Sequence, residues 1–294
     1  MLAYLQNIFI LFSINAILAL TLNFIMGYAG IFSLAHAIFF GVGAYTAAYV
    51  ALNFTDSLLL CMLAAMGLSA ILSMALALPA LRVRGEYFVA ASLGLQIIGV
   101  TIFSEWKSVT GGLGGMVGIP PPVLFGYTFT STSQFVGLSL AILLGVLGVL
   151  ALLVRGSFGR SLMAIRDSES AAQAYGKHVN AIKTLSVAVS AALAALGGGL
   201  YAFYMSFVNV EVFTLNMSIL LMAMVIIGGT GTLMGPLVGA AIVMALPAAL
   251  TYLPFIPPGE LGTIQQIIYG AAMVILMMYR PGGLVGGRSK EKSA

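Results

Sequence analysis

Charge is what this sequence has least of: Asp, Glu, Lys and Arg together supply 7% of its 294 residues, against about a quarter in ordinary soluble domains. A water-facing surface cannot be built from that stock. Cysteine is reduced to one residue, Cys61, which excludes a disulfide within the chain and reads as a small hydrophobe in an apolar run. The two histidines, His36 and His178, lie far from each other and from Cys61 in sequence, so neither a metal centre nor a thiol catalyst is expected. No segment has the form GxxxxGK[ST] that cradles nucleotide phosphates, so any ATP hydrolysis belongs to another chain. The chain is expected to be no enzyme and to bind no cofactor itself.

What is present is apolar. Hydrophobic residues make up 61% of the chain and its mean hydropathy is +1.10, enough for about eight to ten spans of roughly 20 residues each. Nine candidates stand out: Tyr4 to Met26, Ile31 to Leu52, Leu58 to Pro79, Tyr87 to Phe103, Phe135 to Val154, Thr184 to Phe207, Val212 to Gly229, Pro236 to Leu253 and Leu261 to Tyr279. Unsatisfied backbone is costly in lipid, so helix is the state expected throughout. The expected fold is an all-α integral membrane protein, one polytopic bundle over residues 1–294, with glycine-rich breaks at 27–30 and 228–235 that could be broken or re-entrant helices. The N-terminal run lacks a basic n-region and a small-residue cleavage site, so it reads as a retained helix.

The few charges fall unevenly. With nine spans, Arg82, Arg84, Arg155, Arg160, Arg166, Lys177, Lys183, Arg280, Arg288, Lys290 and Lys292 lie on one side and Lys107 alone on the other. The positive-inside rule makes the first side cytoplasmic, with the N-terminus outside and the tail 280–294 inside. Position thus matters more than the net charge of +4, which would otherwise suit a nucleic acid. Asp56, Glu105, Glu211 and Glu260, with Trp106, then mark the outer face.

Proton- and sodium-driven carriers usually keep ionisable groups inside their spans. Here His36 is the one such group well within a candidate span, and Glu86 and Lys183 sit at span ends. The stretch GYAGIFSLAHAIFFGVGAY holds Gly27, Gly30, Gly41 and Gly43, which allow close helix approach, and Ser33 and His36, which offer hydrogen bonds. Packing is the plainer role for the glycines. IIGGTGTLMGPLVGAAIV repeats its spacing of small residues, a hint of an internal repeat. Two loops are long: the Gly/Pro-rich outer segment from Ser108 to Gln134, read as a flexible or docking loop, and the cytoplasmic segment from Arg155 to Lys183. In the latter, Ser168 or Ser170 can cap a short helix that Gly176 stops. That helix either docks on a partner or is a solvated loop whose arginines enforce topology.

Taken jointly, GYAGIFSLAHAIFFGVGAY, RGEYF, TGGLGG, FGRSLMAIRDSESAAQAYG, GGTGTLMGP and YRPGGLVG resemble the branched-chain amino acid permeases of ATP-binding-cassette importers, nearly end to end. SLAH and RGEYF place the likeness with the M-type subunit. The resemblance implies a heterodimer with a related permease, two cytoplasmic ATPase subunits that bind the ATP, an extracytoplasmic substrate-binding protein, and a bacterial or archaeal inner membrane whose lipid surrounds the spans. It also implies that Glu169, Ala171, Ala172 and Gly176 belong to a short coupling helix that enters the ATPase cleft, flanked by Arg166 and Asp167. Ala35 stands where the family commonly has glycine, and Ser170 interrupts the acidic-alanine run. The same family handles urea and short amides as well as leucine, isoleucine and valine. The expected mechanism is alternating access, along a path lined by Ser33, His36, Phe39, Gly41, Gly43 and Tyr87. A passive channel for a small neutral solute such as urea is the first rival, and an ion-coupled carrier centred on His36 the second.

Overall fold

In the computed structural model, residues 2–80, 86–251, 261–280 and 282–285 are described. Arg82, Arg84, Glu260, Arg288, Lys290 and Lys292 lie outside them. Each apolar run is a helix, as a chain that must satisfy its own backbone in lipid requires. They are α1 (Leu2–Asn23), α2 (His36–Asn53), α3 (Leu58–Ala80), α4 (Glu86–Glu105), α6 (Thr132–Arg155), α9 (Val179–Met205), α10 (Leu215–Gly228), α11 (Gly235–Thr251) and α12 (Leu261–Tyr279), joined by the short α5 (Lys107–Thr110), α7 (Ser157–Asp167) and α8 (Glu169–Ala174). Six helices among the described residues are long and apolar enough to cross a membrane. The others among the nine expected spans are α2, α10 and α11, at 18, 14 and 17 residues.

The helix ends sort into two opposite ends of the bundle. At one, the start of α1 meets the start of α6 and the end of α9, through Gln6 to Ser133 and Tyr204 to Asn7 hydrogen bonds of 2.9 and 2.6 Å. The other gathers Arg160 and Arg166 of α7, Lys177 just past α8 and Lys183 of α9, and is here named the basic end. Lys107 opens α5, at the opposite end.

Two elements form the centre, α1 and α9, each with 72% of its most apolar stretch buried. Between lipid-solvated helices there is little hydrophobic drive, so small residues and short hydrogen bonds decide the packing. Gly43 lies against the Ala195 backbone, and Gly198 against Phe40 and Ala44, which brings α2 and α9 into backbone contact. The hydroxyl of Ser69 on α3 donates to Ala191 O at 2.9 Å, and that of Ser190 to Thr21 O at 2.6 Å. By contrast, α4 and α12 are 22% and 6% buried and leave broad apolar faces open.

Among the departures from the sequence reading, three bear on the site. The second span begins at His36 rather than Ile31, because residues 29–35 leave the helix after a π-turn over Phe24–Tyr28. The seventh begins at Leu215, since residues 206–214 form an irregular segment whose Phe213 is fully buried. The outer loop is not free: β1 (Met116–Val117) pairs antiparallel with β4 (Phe207–Val208), and β2 (Val123–Leu124) with β3 (Tyr127–Thr128). Gly111 and Gly115, at φ 74° and 69°, make the turns that let TGGLGG fold onto the chain's own 206–208 segment.

Candidate functional site: the coupling loop and the broken helices

The polar segment between α6 and α9 folds as two helices. Gly156, extended at φ −74° and ψ −177°, ends α6 and opens α7. Gly159 lies so close to the Val154 backbone that no side chain fits there, which fixes the angle between α6 and α7. At Ser168 the chain becomes extended, and its hydroxyl accepts from Ala171 N at 3.3 Å, the cap that a serine at this position supplies. Gly176, at φ +75°, closes α8 in the left-handed conformation that favours glycine. Its amide donates to Gln173 O at 2.9 Å and that of Lys177 to Ala172 O at 3.0 Å.

The short helix expected between Arg155 and Lys183 is therefore α8, with Glu169, Ala171 and Ala172 in it and Gly176 just beyond. One face of it is tied down. Ala172 is buried with Ile165 and Val179, and Ile182 packs on them. Glu169 forms an ion pair with Lys183, whose side chain is 13% exposed against 56% for the carboxylate. The other face is bare: Ser170, Ala171, Gln173 and Ala174 are exposed, and Tyr175 is 86% exposed. A short helix that is capped at both ends and pinned along one side presents a stiff protrusion of small residues and one aromatic ring.

Arg166 and Asp167 end α7. Arg166 pairs with Asp167 at 3.2 Å, and its Nη1 donates to Gly27 O at 2.6 Å. The loop thus touches the first glycine-rich break directly. The second break lies beside the first: the Asn23 side-chain amide donates to Thr232 O at 2.8 Å, and its Oδ1 accepts from Gly231 N at 2.9 Å. Both breaks lie at the basic end, next to each other.

Beyond the first break the residues expected to line a path separate. His36 is fully buried at the start of α2, with Nε2 3.0 Å from Thr21 Oγ1. The Thr21 hydroxyl also lies 3.0 and 2.9 Å from the carbonyls of Ile17 and Leu18, so it ties His36 to the backbone of α1. His36 Nδ1 has no partner among the described residues. Ser33 is buried and accepts from Ala35 N at 3.3 Å, shaping the turn into α2. Gly41 faces Phe103 and Phe213, and Gly43 faces Ala195, so both are contact points between elements and line no opening. Phe39 does border a cavity of about 300 Å³, shared with Tyr45, Tyr49, Leu72 and Trp106 between α2, α3 and α4. Tyr87 is 74% exposed on α4, apart from the buried group.

A polar chain that the sequence reading missed crosses the bundle at the depth of His36. Ala37 N donates to Ser218 Oγ at 3.0 Å, the Ser218 hydroxyl is 3.5 Å from Gln96 Oε1, and Gln96 Nε2 donates to Phe213 O at 2.7 Å. Ser92, also on α4, accepts from Leu34 N at 3.0 Å. Gln96 and Ser218, polar residues within otherwise apolar helices, were the available signal. Around them Phe40, Tyr45, Phe103, Tyr201 and Phe213 interlock, with Phe40 and Phe213 edge-to-face at 4.9 Å. Among the described residues no group of three or more His, Cys, Asp or Glu is arranged to hold a metal ion.

Residues 4–277 match the model of a family described as branched-chain amino acid transport system / permease component. The chain is 30% identical over 296 residues to the high-affinity branched-chain amino acid transport system permease protein LivM of Escherichia coli K12, covering 92% of this chain and 68% of that one. Identity to the protein of the same description from Salmonella typhimurium LT2 is also 30%, over the same shares. A probable branched-chain amino acid transport permease protein LivM of Methanocaldococcus jannaschii is 24% identical over 59% of this chain and 53% of that one. No solved structure matches significantly. With its apolar helices and this match along nearly its whole length, the chain is a multi-pass membrane protein that belongs to the family of branched-chain amino acid transport permeases.

Proposed function

We infer that this permease is the membrane-spanning subunit of an ATP-binding-cassette importer for branched-chain amino acids or related small amino acids and amides. Two ATPase chains bind and hydrolyse the ATP, a second, related permease completes the membrane part, and a binding protein delivers the solute from outside. The observation that carries this reading is α8. It is short, capped by Ser168 and Gly176, anchored through Ala172 and the Glu169–Lys183 pair, and bare on its outward face. A helix that must transmit force needs stiffness at its base and an uncovered surface at its tip. A loop that only set topology by charge would need neither.

The orientation follows from the same end. Arg155, Arg160, Arg166, Lys177, Lys183 and Arg280 are among its residues, so the positive-inside rule puts α7, α8 and the C-terminal tail in the cytoplasm. This suits a bacterial or archaeal cell membrane. Transport proceeds by alternating access, with ATP binding closing the ATPase pair and moving α8. The passage runs between this chain and its companion permease, because His36, Gly41 and Gly43 are packed shut within the single bundle while α4 and α12 face outward. Affinity and substrate choice then reside chiefly in the binding protein.

Replacing Glu169 and Gly176 together is expected to uncouple ATP hydrolysis from uptake while leaving membrane insertion intact. Radiolabelled leucine uptake by proteoliposomes holding the complete transporter, measured beside phosphate release, reads this directly. Uptake unchanged in that variant, or uptake without accumulation in ATP-depleted vesicles, overturns the reading in favour of a passive channel.

A further inference from the structure

Three segments meet at one guanidinium group. Arg166 Nη1 donates to Gly27 O at 2.6 Å, and Nε and Nη2 lie 3.3 and 3.2 Å from Asp167 Oδ1. The partner charge and the carbonyl hold the plane from two sides, a geometry that suits guanidinium far better than ammonium. The aliphatic stem of Arg166 runs past Gly30, where an added Cβ would lie 3.0 Å from Arg166 Cγ. An added Cβ on Gly231 would lie 3.5 Å from Nη1, and Asn23 bonds Gly231 N and Thr232 O. One side chain of α7 therefore touches both glycine-rich breaks.

The stiffness on the two sides differs. On one side, α7 runs into α8 with only Ser168 between them, and Ile165, Ala172 and Val179 weld the pair to the start of α9. On the other, residues 29–35 and 229–234 lie outside regular helix and turn at Gly30, Gly229 and Gly231, all with positive φ. A few terminal residues that can absorb backbone rotation are what a hinge requires. Past the first hinge lies His36, and Ala37 is bonded to Ser218 of α10; past the second lies α11.

We propose that Arg166 is a positioning residue, a strut that with Asn23 carries displacement of α8 into the two glycine hinges and so to the broken start of α2. The proposal rests on α8 being the surface that the ATPase grips. It assigns Arg166 a role in moving the spans that exceeds flanking the coupling helix, and brings in Asn23, an uncharged residue of the first span.

The test uses the complete reconstituted transporter with Cys61→Ser, carrying nitroxide labels at Lys177→Cys, just past α8, and Phe32→Cys, within the first hinge, both exposed positions. The expected result is that both labels respond to ATP. In Arg166→Gln the Lys177 label is expected to respond still and the Phe32 label to fall silent, with uptake per ATP hydrolysed lowered roughly two- to thirty-fold. Arg166→Lys, which keeps one donor for Gly27 O, is expected to restore part of both. A Phe32 label silent in the unsubstituted transporter, or a Phe32 response that survives Arg166→Gln, overturns the strut alone. A Lys177 label blind to ATP overturns the docking of α8, and the strut with it.

Discussion

The two glycine-rich breaks look alike in sequence and are held by different means. The first, after α1, turns at Gly30 and has its Gly27 carbonyl taken by a charged side chain from a distant loop. The second, after α10, turns at Gly229 and Gly231 and is held by neutral partners: the Asn23 amide and the backbone of the chain's end, where Leu284 N donates to Ile227 O at 3.1 Å and Val285 N to Gly228 O at 3.0 Å. A polar backbone exposed by breaking a helix inside a membrane must find a partner. The difference lies in where the partner comes from. The first break is tied by a charge from the loop between α6 and α9, the second by neutral groups, and Asn23 and Arg166 sit where the two breaks meet.

The comparison can be broken most severely where the breaks touch. A Cβ on Gly27 would collide with the backbone nitrogen of Gly231 and crowd Asn23 Oδ1. Gly27→Leu is therefore expected to abolish the folded chain, seen as loss of the monodisperse peak in fluorescence-detected size-exclusion chromatography. A normal peak would show that the breaks need no contact.

Next comes Asn23→Ala, which leaves Gly231 N and Thr232 O without their side-chain partner and costs about 2–6 kcal/mol at 1–3 kcal/mol for each orphaned group. It should lower the thermal midpoint in detergent clearly more than Arg166→Gln, because the Arg166 side of the junction is 40% exposed and water can substitute there. Equal losses would erase the distinction between the neutral tie and the charged one.

Gly176→Val should act on the loop alone. A β-branched residue at φ +75° carries strain of about 1–3 kcal/mol, spent locally on the end of α8. Uptake is expected to fall several-fold while the detergent midpoint stays near that of the unsubstituted chain; a matching drop in midpoint would mean that the loop and the bundle are one cooperative unit. The smallest effect belongs to Glu169→Gln, whose ion pair with Lys183 is more than half exposed at the carboxylate and contributes within about 1 kcal/mol. A midpoint shift that shrinks in high salt would identify that contribution.

Much of the architecture was legible because lipid leaves the chain few options. Each of the nine apolar runs supplies a helix among the described residues, helices break at the glycine clusters 27–30 and 228–235, and the loop from Arg155 to Lys183 holds the short helix that Ser168 caps and Gly176 stops. The path residues were less legible. His36 and Ser33 are buried polar groups, and Gly41 and Gly43 serve contact, as their small size in a packed bundle already implied. Tyr87 is far more exposed than a residue facing a sealed interior. Gln96, Ser218 and Asn23 were overlooked because a neutral side chain in an apolar run gives no sign of its partner until the helices are assembled.

The sequence alone determined that this chain lives in a bilayer and which of its apolar runs supply the helices, since both follow from composition and period acting over consecutive residues. Only the tertiary structure decided that Arg166 reaches Gly27 across 139 residues and that Asn23 reaches Gly231 across 208. The reason is physical: hydropathy is a property of a segment, whereas a hydrogen bond is a property of a distance, and distance between far-separated residues exists only once the helices have packed.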